Sequence, residues 1–285
     1  MSLVFVAGPA ALADGLGGGL ERGDRAYAAR GVDNDGRGRA APDRIAVAIE
    51  AYEEALAEDP GNLVARWKAM AALYFAGDFA APDVEAAHAF FERGRLLGED
   101  GIARVARRLD LGRPLVDLDA EVIRASVPRA LATPVGRLYF WAAINWGAWT
   151  REEGFLQIVR QGVARRLRDY AKVSLALDPA IYRGGSQRLL AHMHANLPRV
   201  PFISGWVDRE LAVGFADQAL IVAPDDVGNR AILGLVLLDT VPARRAEALS
   251  ILAEVAEAAP REHLVVEDQA TREMARRRLA EERAD

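Results

Sequence analysis

The chain has 285 residues, of which 51% are apolar and 27% are charged, and its formal net charge is −5. This composition excludes general disorder, and the mild negative charge argues against a dedicated nucleic-acid binder, a class that is usually clearly basic. The sequence contains no cysteine, which excludes disulfides, Cys-ligated zinc and a thiol nucleophile.

The first residues resemble the end of a secretory signal. An apolar run over residues 3–7 leads to Ala11 and Ala13, which occupy the small-residue positions that precede a signal cleavage site. A positively charged start is missing, so we expect Met1 to lie within a longer signal. The sequence therefore predicts a truncated signal peptide over residues 1–13 and export of the chain. A short N-terminal helix or strand is the alternative.

The rest of the chain divides into a flexible segment and a helical domain. Residues 14–41 are rich in Gly, Asp and Arg, which predicts a flexible N-terminal segment. Beyond it, apolar residues recur at helical spacing, as at Ile45, Ile49 and Tyr52. We predict a single all-α domain over residues 42–285 with ten to twelve helices. No stretch reaches the ~18 unbroken apolar residues of a membrane-spanning helix.

A short turn motif recurs along this domain. Four times a run of small and apolar residues ends at a proline, which stops one helix and lets the next begin in the opposite direction. The motif predicts stacked antiparallel hairpins of the tetratricopeptide (TPR) type, and ordinary helix stops in any α protein are the alternative. The four prolines are Pro60, Pro179, Pro224 and Pro260.

The most unusual segment is an aromatic block over residues 137–149. A helix that is apolar on all sides must be buried on most of them or line a cavity, and a buried amide needs hydrogen-bond partners. The block is therefore either a central core helix or the apolar wall of a ligand channel, and these two interpretations are compatible. The side chains that we predict to line or support such a channel are Tyr139, Phe140, Trp141, Asn145, Trp146 and Trp149.

A second unusual stretch covers residues 197–208. Pro198 and Pro201 flank two residues and favour an extended segment. Phe202 and Trp206 are predicted to anchor this segment on the helices as a rigid buried connector. A polyproline recognition element is the alternative.

In this order, the motifs resemble the T-component family of tripartite ATP-independent periplasmic (TRAP) transporters, which are TPR-containing periplasmic proteins. The resemblance covers residues 42–280, and its most specific part is the aromatic block with its Asn-Trp-Gly sequence. The residues that carry it are Pro60, Asn62, Trp67, Tyr74, Gly77, Tyr139, Phe140, Trp141, Asn145, Trp146, Gly147, Pro179, Gly184, Pro198, Pro201, Phe202, Asp208, Pro224 and Asn229.

The resemblance implies a helical protein without enzymatic activity or cofactor. It implies association with the solute-binding P-component of a TRAP transporter, a homotrimer, and an apolar pore through each protomer. Some family members are anchored through an N-terminal cysteine, and since this chain has none we expect a soluble periplasmic form. Tyr139, Trp141, Asn145 and Trp146 would shape or support the pore, and Pro201 and Phe202 would brace it.

Three functions follow as hypotheses. The leading one is a non-enzymatic accessory protein that binds a solute-binding protein and binds or relays a hydrophobic small molecule. A generic TPR scaffold that docks a peptide in its concave groove is the first alternative, and an all-α enzyme is the second. A continuous tunnel past Trp141 and Trp146 would favour the leading hypothesis. A closed core with a charged groove would favour the TPR scaffold. His192 and His194 diverge on a helix, so no metal site is predicted.

Overall fold

The computed structural model describes residues 18–284, so the signal predicted over residues 1–13 lies outside the described residues. Within residues 18–284 the chain forms thirteen α-helices and no β-sheet, against ten to twelve helices predicted. The all-α class predicted from the sequence is confirmed. None of these helices combines the length and the apolar character that crossing a bilayer demands.

The chain contacts fall into two compact units, whereas the sequence predicted one domain over residues 42–285. Among the described residues, the N-terminal unit holds residues 18–33 and 40–178, and the C-terminal unit holds residues 34–39 and 179–284. Helices of the N-terminal unit are α1 (Gly18–Ala28), α2 (Pro42–Glu58), α3 (Leu63–Phe75), α4 (Val84–Leu109), α5 (Ala120–Ser126), α6 (Arg129–Trp149), α7 (Phe155–Arg160) and α8 (Val163–Leu177). Helices of the C-terminal unit are α9 (Gly185–Asn196), α10 (Arg209–Val222), α11 (Val227–Thr240), α12 (Arg245–Glu257) and α13 (Val265–Ala284).

The first proline turn joins α2 to α3. Helix α2 begins at Pro42, whose fixed φ suits the first turn of a helix, and it ends just before Asp59 and Pro60. Asn62 then caps α3, since its side-chain oxygen accepts hydrogen bonds from the backbone N–H groups of residues 64 and 65 at 3.0 Å. The two helices pack on each other across this short turn and therefore run antiparallel.

Two more proline turns do the same in the C-terminal unit. Pro224 lies between α10 and α11, Pro260 lies between α12 and α13, and both helix pairs are packed. Asp208 and Asp226 cap α10 and α11 through side-chain oxygens that accept backbone N–H groups. Helical hairpins are thus present, and their stacking in the TPR manner stays a prediction.

The segment predicted to be flexible over residues 14–41 contains helix α1 instead. Asp24 fixes this helix, because its carboxylate accepts hydrogen bonds from the Tyr52 hydroxyl at 2.8 Å and from Lys68 Nζ at 2.6 Å. Burial and the neighbouring Asp24 raise the pKa of Tyr52 above its usual range. The partners lie 28 and 44 residues along the chain from Asp24, so a local composition pattern could not reveal them.

A buried ionic network ties together the C-terminal unit. Arg188 of α9 is 2% exposed and donates to Asn229 Oδ1 at 2.5 Å, while its guanidinium lies 3.6 Å from the fully buried carboxylate of Asp226. Arg261 donates to Asp226 at 2.7 Å and to Asp268 at 2.7 Å. The network links α9, α11 and α13, so several helices share one set of charged hydrogen bonds.

Candidate functional site

The aromatic block lies on α6, which packs against α3, α4 and α8 in the N-terminal unit. Its predicted site residues are all buried to 4% exposure or less. They form core in this structure, and a pore-lining role stays a prediction. The side chains in question are Tyr139, Phe140, Trp141, Asn145, Trp146 and Trp149.

Ring contacts hold this core together. The ring centroid of Trp141 lies 5.3 Å from that of Phe140 and 5.6 Å from that of Tyr74 on α3. Trp146 and Trp149 meet edge-to-face at 5.4 Å. Such edge-to-face and tilted pairs stabilise by ~0.5–1.5 kcal/mol beyond the area they bury, so the block is a strong structural centre.

Asn145 is the polar residue at this centre and is fully buried. Its Nδ2 donates to the backbone oxygen of Trp141 at 2.9 Å and to that of Met70 at 3.2 Å. Its Oδ1 faces Gly94 of α4, where an added Cβ would stand only 2.0 Å away. Asn145 therefore joins α3 and α6 and occupies the space that the missing side chain of Gly94 leaves.

Trp146 lies between two arginines at the edge of the core. The guanidinium carbons of Arg95 and Arg166 lie 4.5 and 4.6 Å from its ring. Glu99 contacts both guanidinium groups, at 3.3 and 3.5 Å. The hydrogen bonds that Arg95 donates to the Glu92 carboxylate contribute most to raising the pKa of Arg95 above its usual value. The indole is thus held by paired charges, and its buried Nε1 donates to no group among the described residues.

The segment over residues 197–208 differs from its prediction. Phe202 was expected to anchor it and brace a pore, yet its side chain is fully exposed and its φ is 63°, and Pro201 is exposed as well. The reason is a local turn, because Ser204 Oγ accepts from the backbone N–H of Val200 at 3.0 Å and donates to a backbone oxygen of the same loop. Only Trp206 contacts a helix as expected, with its ring 5.2 Å from that of His194 on α9.

Replacing Phe202 with asparagine is expected to leave the free energy of unfolding unchanged or to raise it by up to about 1 kcal/mol. The ring buries nothing, and asparagine tolerates the left-handed backbone conformation better than phenylalanine does. Chemical denaturation of both proteins measures the difference. Val207→Asn is the comparison, because Val207 is 3% exposed and its replacement should cost more than 1 kcal/mol. An equal loss in both variants would contradict the exposed position of Phe202.

An open cleft of about 650 Å³ lies between α2 and α4 of the N-terminal unit. One face of α2 lines it from Pro42 to Ala57, and Phe90 and Arg93 of α4 line it together with residues between α3 and α4. Its volume falls within the range of ordinary ligand sites, and apolar atoms make up most of its lining. The lining residues are Pro42, Ile45, Ala46, Ile49, Glu50, Glu53, Glu54, Ala57, Ala76, Ala80, Pro82, Phe90 and Arg93.

Three carboxylates stand at one end of this cleft. Glu53 accepts a hydrogen bond from Arg93 at 2.5 Å, and Glu54 accepts one from Arg22 of α1 at 2.5 Å. Glu50 lies one turn earlier on α2, is exposed, and forms no ion pair with any described residue. The cleft thus joins an apolar floor to an acidic end.

The sequence analysis missed this cleft. Ile45 and Ile49 were recognised as the buried face of a helix, which is correct for most of their surface. The available signal was a second stripe beside them, because Ala46, Glu50 and residues 53, 54 and 57 repeat every three to four positions. The sequence could not show that α4 faces this stripe at a distance that leaves space.

His194 is part of the local structure. His194 Nδ1 accepts the backbone N–H of Asp208 at 3.0 Å at the start of α10, and the imidazole stacks on Phe215. Across residues 18–284, no three His, Asp or Glu side chains come close enough together to hold a metal ion.

No protein-family model matches this chain, and no curated protein matches it in a sequence search.

Proposed function

We propose that this chain is a non-enzymatic accessory protein of the periplasm that binds the solute-binding protein of a TRAP-type transporter. The open cleft along α2, beside a closed aromatic core, is the observation that carries the binding role. The choice of partner rests on the resemblance of residues 42–280 to T components. Together they favour a helical scaffold whose task is to hold another protein.

The cleft offers the chemistry of a protein-binding surface. Covering the exposed Pro42, Ala46 and Ala57, together with the apolar side chains of a partner, contributes about 25 cal/mol for each Å² removed from water. The charged groups at its end contribute specificity and orientation more than raw affinity. Glu53 and Glu54 are already held by arginines, which fixes their positions before a partner arrives.

A second candidate function is the binding or relay of a hydrophobic small molecule through an apolar pore in a trimeric assembly. The concentration of rings on α6 favours it, together with the buried indole Nε1 of Trp146, which donates to no described group. In this proposal the aromatic core would have to open to admit the molecule. A retained apolar molecule is therefore the specific sign to look for.

Native mass spectrometry of the protein purified gently from the periplasmic fraction of its source tests both candidates. We expect a complex whose second subunit is identified by its peptides as a TRAP-type solute-binding protein. An apolar molecule bound to the chain, with or without that subunit, would support the second candidate. A bare chain without either would contradict both, and so would retention in the cytoplasm of a protein expressed with a longer native start. An unrelated tagged periplasmic protein, purified in parallel, is the control for adventitious partners.

A further inference from the structure

We infer that the cleft along α2 takes a partner segment that is apolar at one end and carries Lys or Arg at the other. The inference rests on the proposed binding role and adds the chemistry and direction of what is bound. Three observations carry it, namely the length of the cleft, the separation of its apolar and acidic halves, and the charge pairing at its acidic end.

The cleft is elongated. Its wall on α2 runs from Pro42 to Ala57, which at 1.5 Å per residue is a length of about 22 Å. A helix of about 15 residues or an extended strand of about seven has this length. The volume of about 650 Å³ is spread along the helix and open to solvent, a shape that suits a continuous peptide segment better than a compact molecule.

The two halves of the cleft differ in chemistry. The half near the start of α2 is apolar and includes Pro42, Ile45 and Ala46, and the turn between α3 and α4 adds Ala76, Ala80 and Pro82 to the lining of the cleft. The half near the end of α2 holds the three carboxylates of residues 50, 53 and 54. A segment that buries apolar side chains in the first half would place its next residues against those carboxylates. The cleft therefore sets the direction in which a segment lies.

Charge pairing leaves the acidic end negative. Arg93 and Arg22 each pair with one of the carboxylates, Glu53 and Glu54 respectively. Glu50 has no such partner among residues 18–284, and it is the carboxylate nearest the apolar half. A Lys or Arg of the partner segment would complete this set. A like-charged acidic segment would be repelled by it.

The geometry also predicts a spacing. Ala46 and the unpaired Glu50 are about 6 Å apart along the axis of α2. The apolar anchor and the basic residue of the segment should thus be about four positions apart if the segment is helical, and about two if it is extended. The spacing found in bound peptides distinguishes the two.

A peptide-display selection against the full chain tests the inference, with random peptides of about 15 residues as the probe. Peptides that also bind the Ala46→Trp variant are removed, because the exposed Ala46 lines the cleft and a tryptophan there fills it. We expect the enriched peptides to combine apolar residues with Lys or Arg at the spacing given above. An acidic consensus, or no enrichment, would overturn the inference.

Fluorescence polarisation of one enriched peptide then measures the pairing. Glu50→Arg is expected to raise the Kd about tenfold, and added salt to weaken binding to the unmodified chain. Glu58→Arg is the matched control for Glu50→Arg, because Glu58 is exposed on the same helix outside the cleft. Val47→Trp is the control for Ala46→Trp, because Val47 is also exposed on α2 and does not line the cleft. Equal Kd values for the two charge reversals would overturn the inference. The blocked variant Ala46→Trp should lose the solute-binding protein together with the peptide. If it lost the peptide but still bound the solute-binding protein, the inference would be overturned and the proposed function would stand.

Discussion

Replacing Asp226 with alanine is expected to lower the free energy of unfolding by about 3–5 kcal/mol, the range for breaking a buried ion pair from one side. The carboxylate is fully buried, Arg261 donates to it at 2.7 Å, and Arg188 lies 3.6 Å away. Its removal leaves the guanidinium of Arg188 buried without its counter-charge. It also removes the cap that accepts the N–H of Asn229 at the start of α11. Urea denaturation followed by circular dichroism measures the loss.

The pH dependence of this loss has a definite sign. Burial alone would raise the pKa of Asp226, but Arg188 and Arg261 outweigh it and hold the pKa below its usual 3.8. A carboxyl whose pKa is lowered by folding contributes stability that is present above the unfolded pKa and lost as the pH falls through the folded one. The difference in free energy of unfolding between Asp226→Ala and the unmodified chain should therefore be constant above about pH 5 and become smaller as the pH falls below 3.8.

Asp225 supplies the matched control for Asp226. Its side chain is 78% exposed and pairs with Arg183 at the surface, so Asp225→Asn should change the free energy of unfolding by less than about 0.5 kcal/mol. Asp226→Asn keeps an oxygen that can accept from Asn229 and loses only the charge. A loss in Asp226→Asn as small as that in Asp225→Asn would contradict a charge-based role for the network.

Local signals predicted much of the fold. Asp59 and Pro60 end α2, Asn62 begins α3, and each acts through atoms within a few residues of itself. Such signals act on the backbone of neighbouring residues and do not depend on tertiary contacts. The helical class and the turns at Pro224 and Pro260 could therefore be predicted from the sequence.

Long-range contacts explain what the sequence did not reveal. Helix α1 is held by the hydrogen bond and ion pair of Asp24 with Tyr52 and Lys68, and no residue near Asp24 in the sequence predicts these contacts. Phe202 was expected to anchor its segment on the helices, yet its side chain is exposed on the turn that Ser204 stabilises. The chemistry of a side chain limits the contacts that it can form, and the packing of distant helices determines which of those contacts are present.

The aromatic block shows the same limit at the candidate site. Its composition predicted burial correctly, since Trp141 and Trp146 are each 1% exposed. Whether a buried aromatic helix lines a channel or fills a core depends on how closely its neighbours approach. The approach of α4 is set by glycine at position 94, whose significance appears only when Asn145 is seen opposite it.

Replacing Gly94 with alanine is expected to lower the free energy of unfolding by about 3 kcal/mol, at the upper end of the usual cost of overpacking a core. The new Cβ would stand 2.0 Å from Asn145 Oδ1. Asn145 cannot yield without weakening its hydrogen bonds to the backbone oxygens of Met70 and Trp141. Chemical denaturation of the purified variant gives the loss.

Gly147 is the matched control for Gly94, because it also lies inside a helix of the same unit. A Cβ there would meet only Leu167, at 3.7 Å, so Gly147→Ala should stabilise the chain by about 0.5–1 kcal/mol through the reduced entropy of the unfolded state. Asn145→Ala removes the atoms that Gly94→Ala would strike, and in that background the cost of Gly94→Ala should fall below about 1 kcal/mol. If the cost were unchanged there, the clash with Asn145 would not be its cause, and the account of how α4 approaches α6 would have to be abandoned.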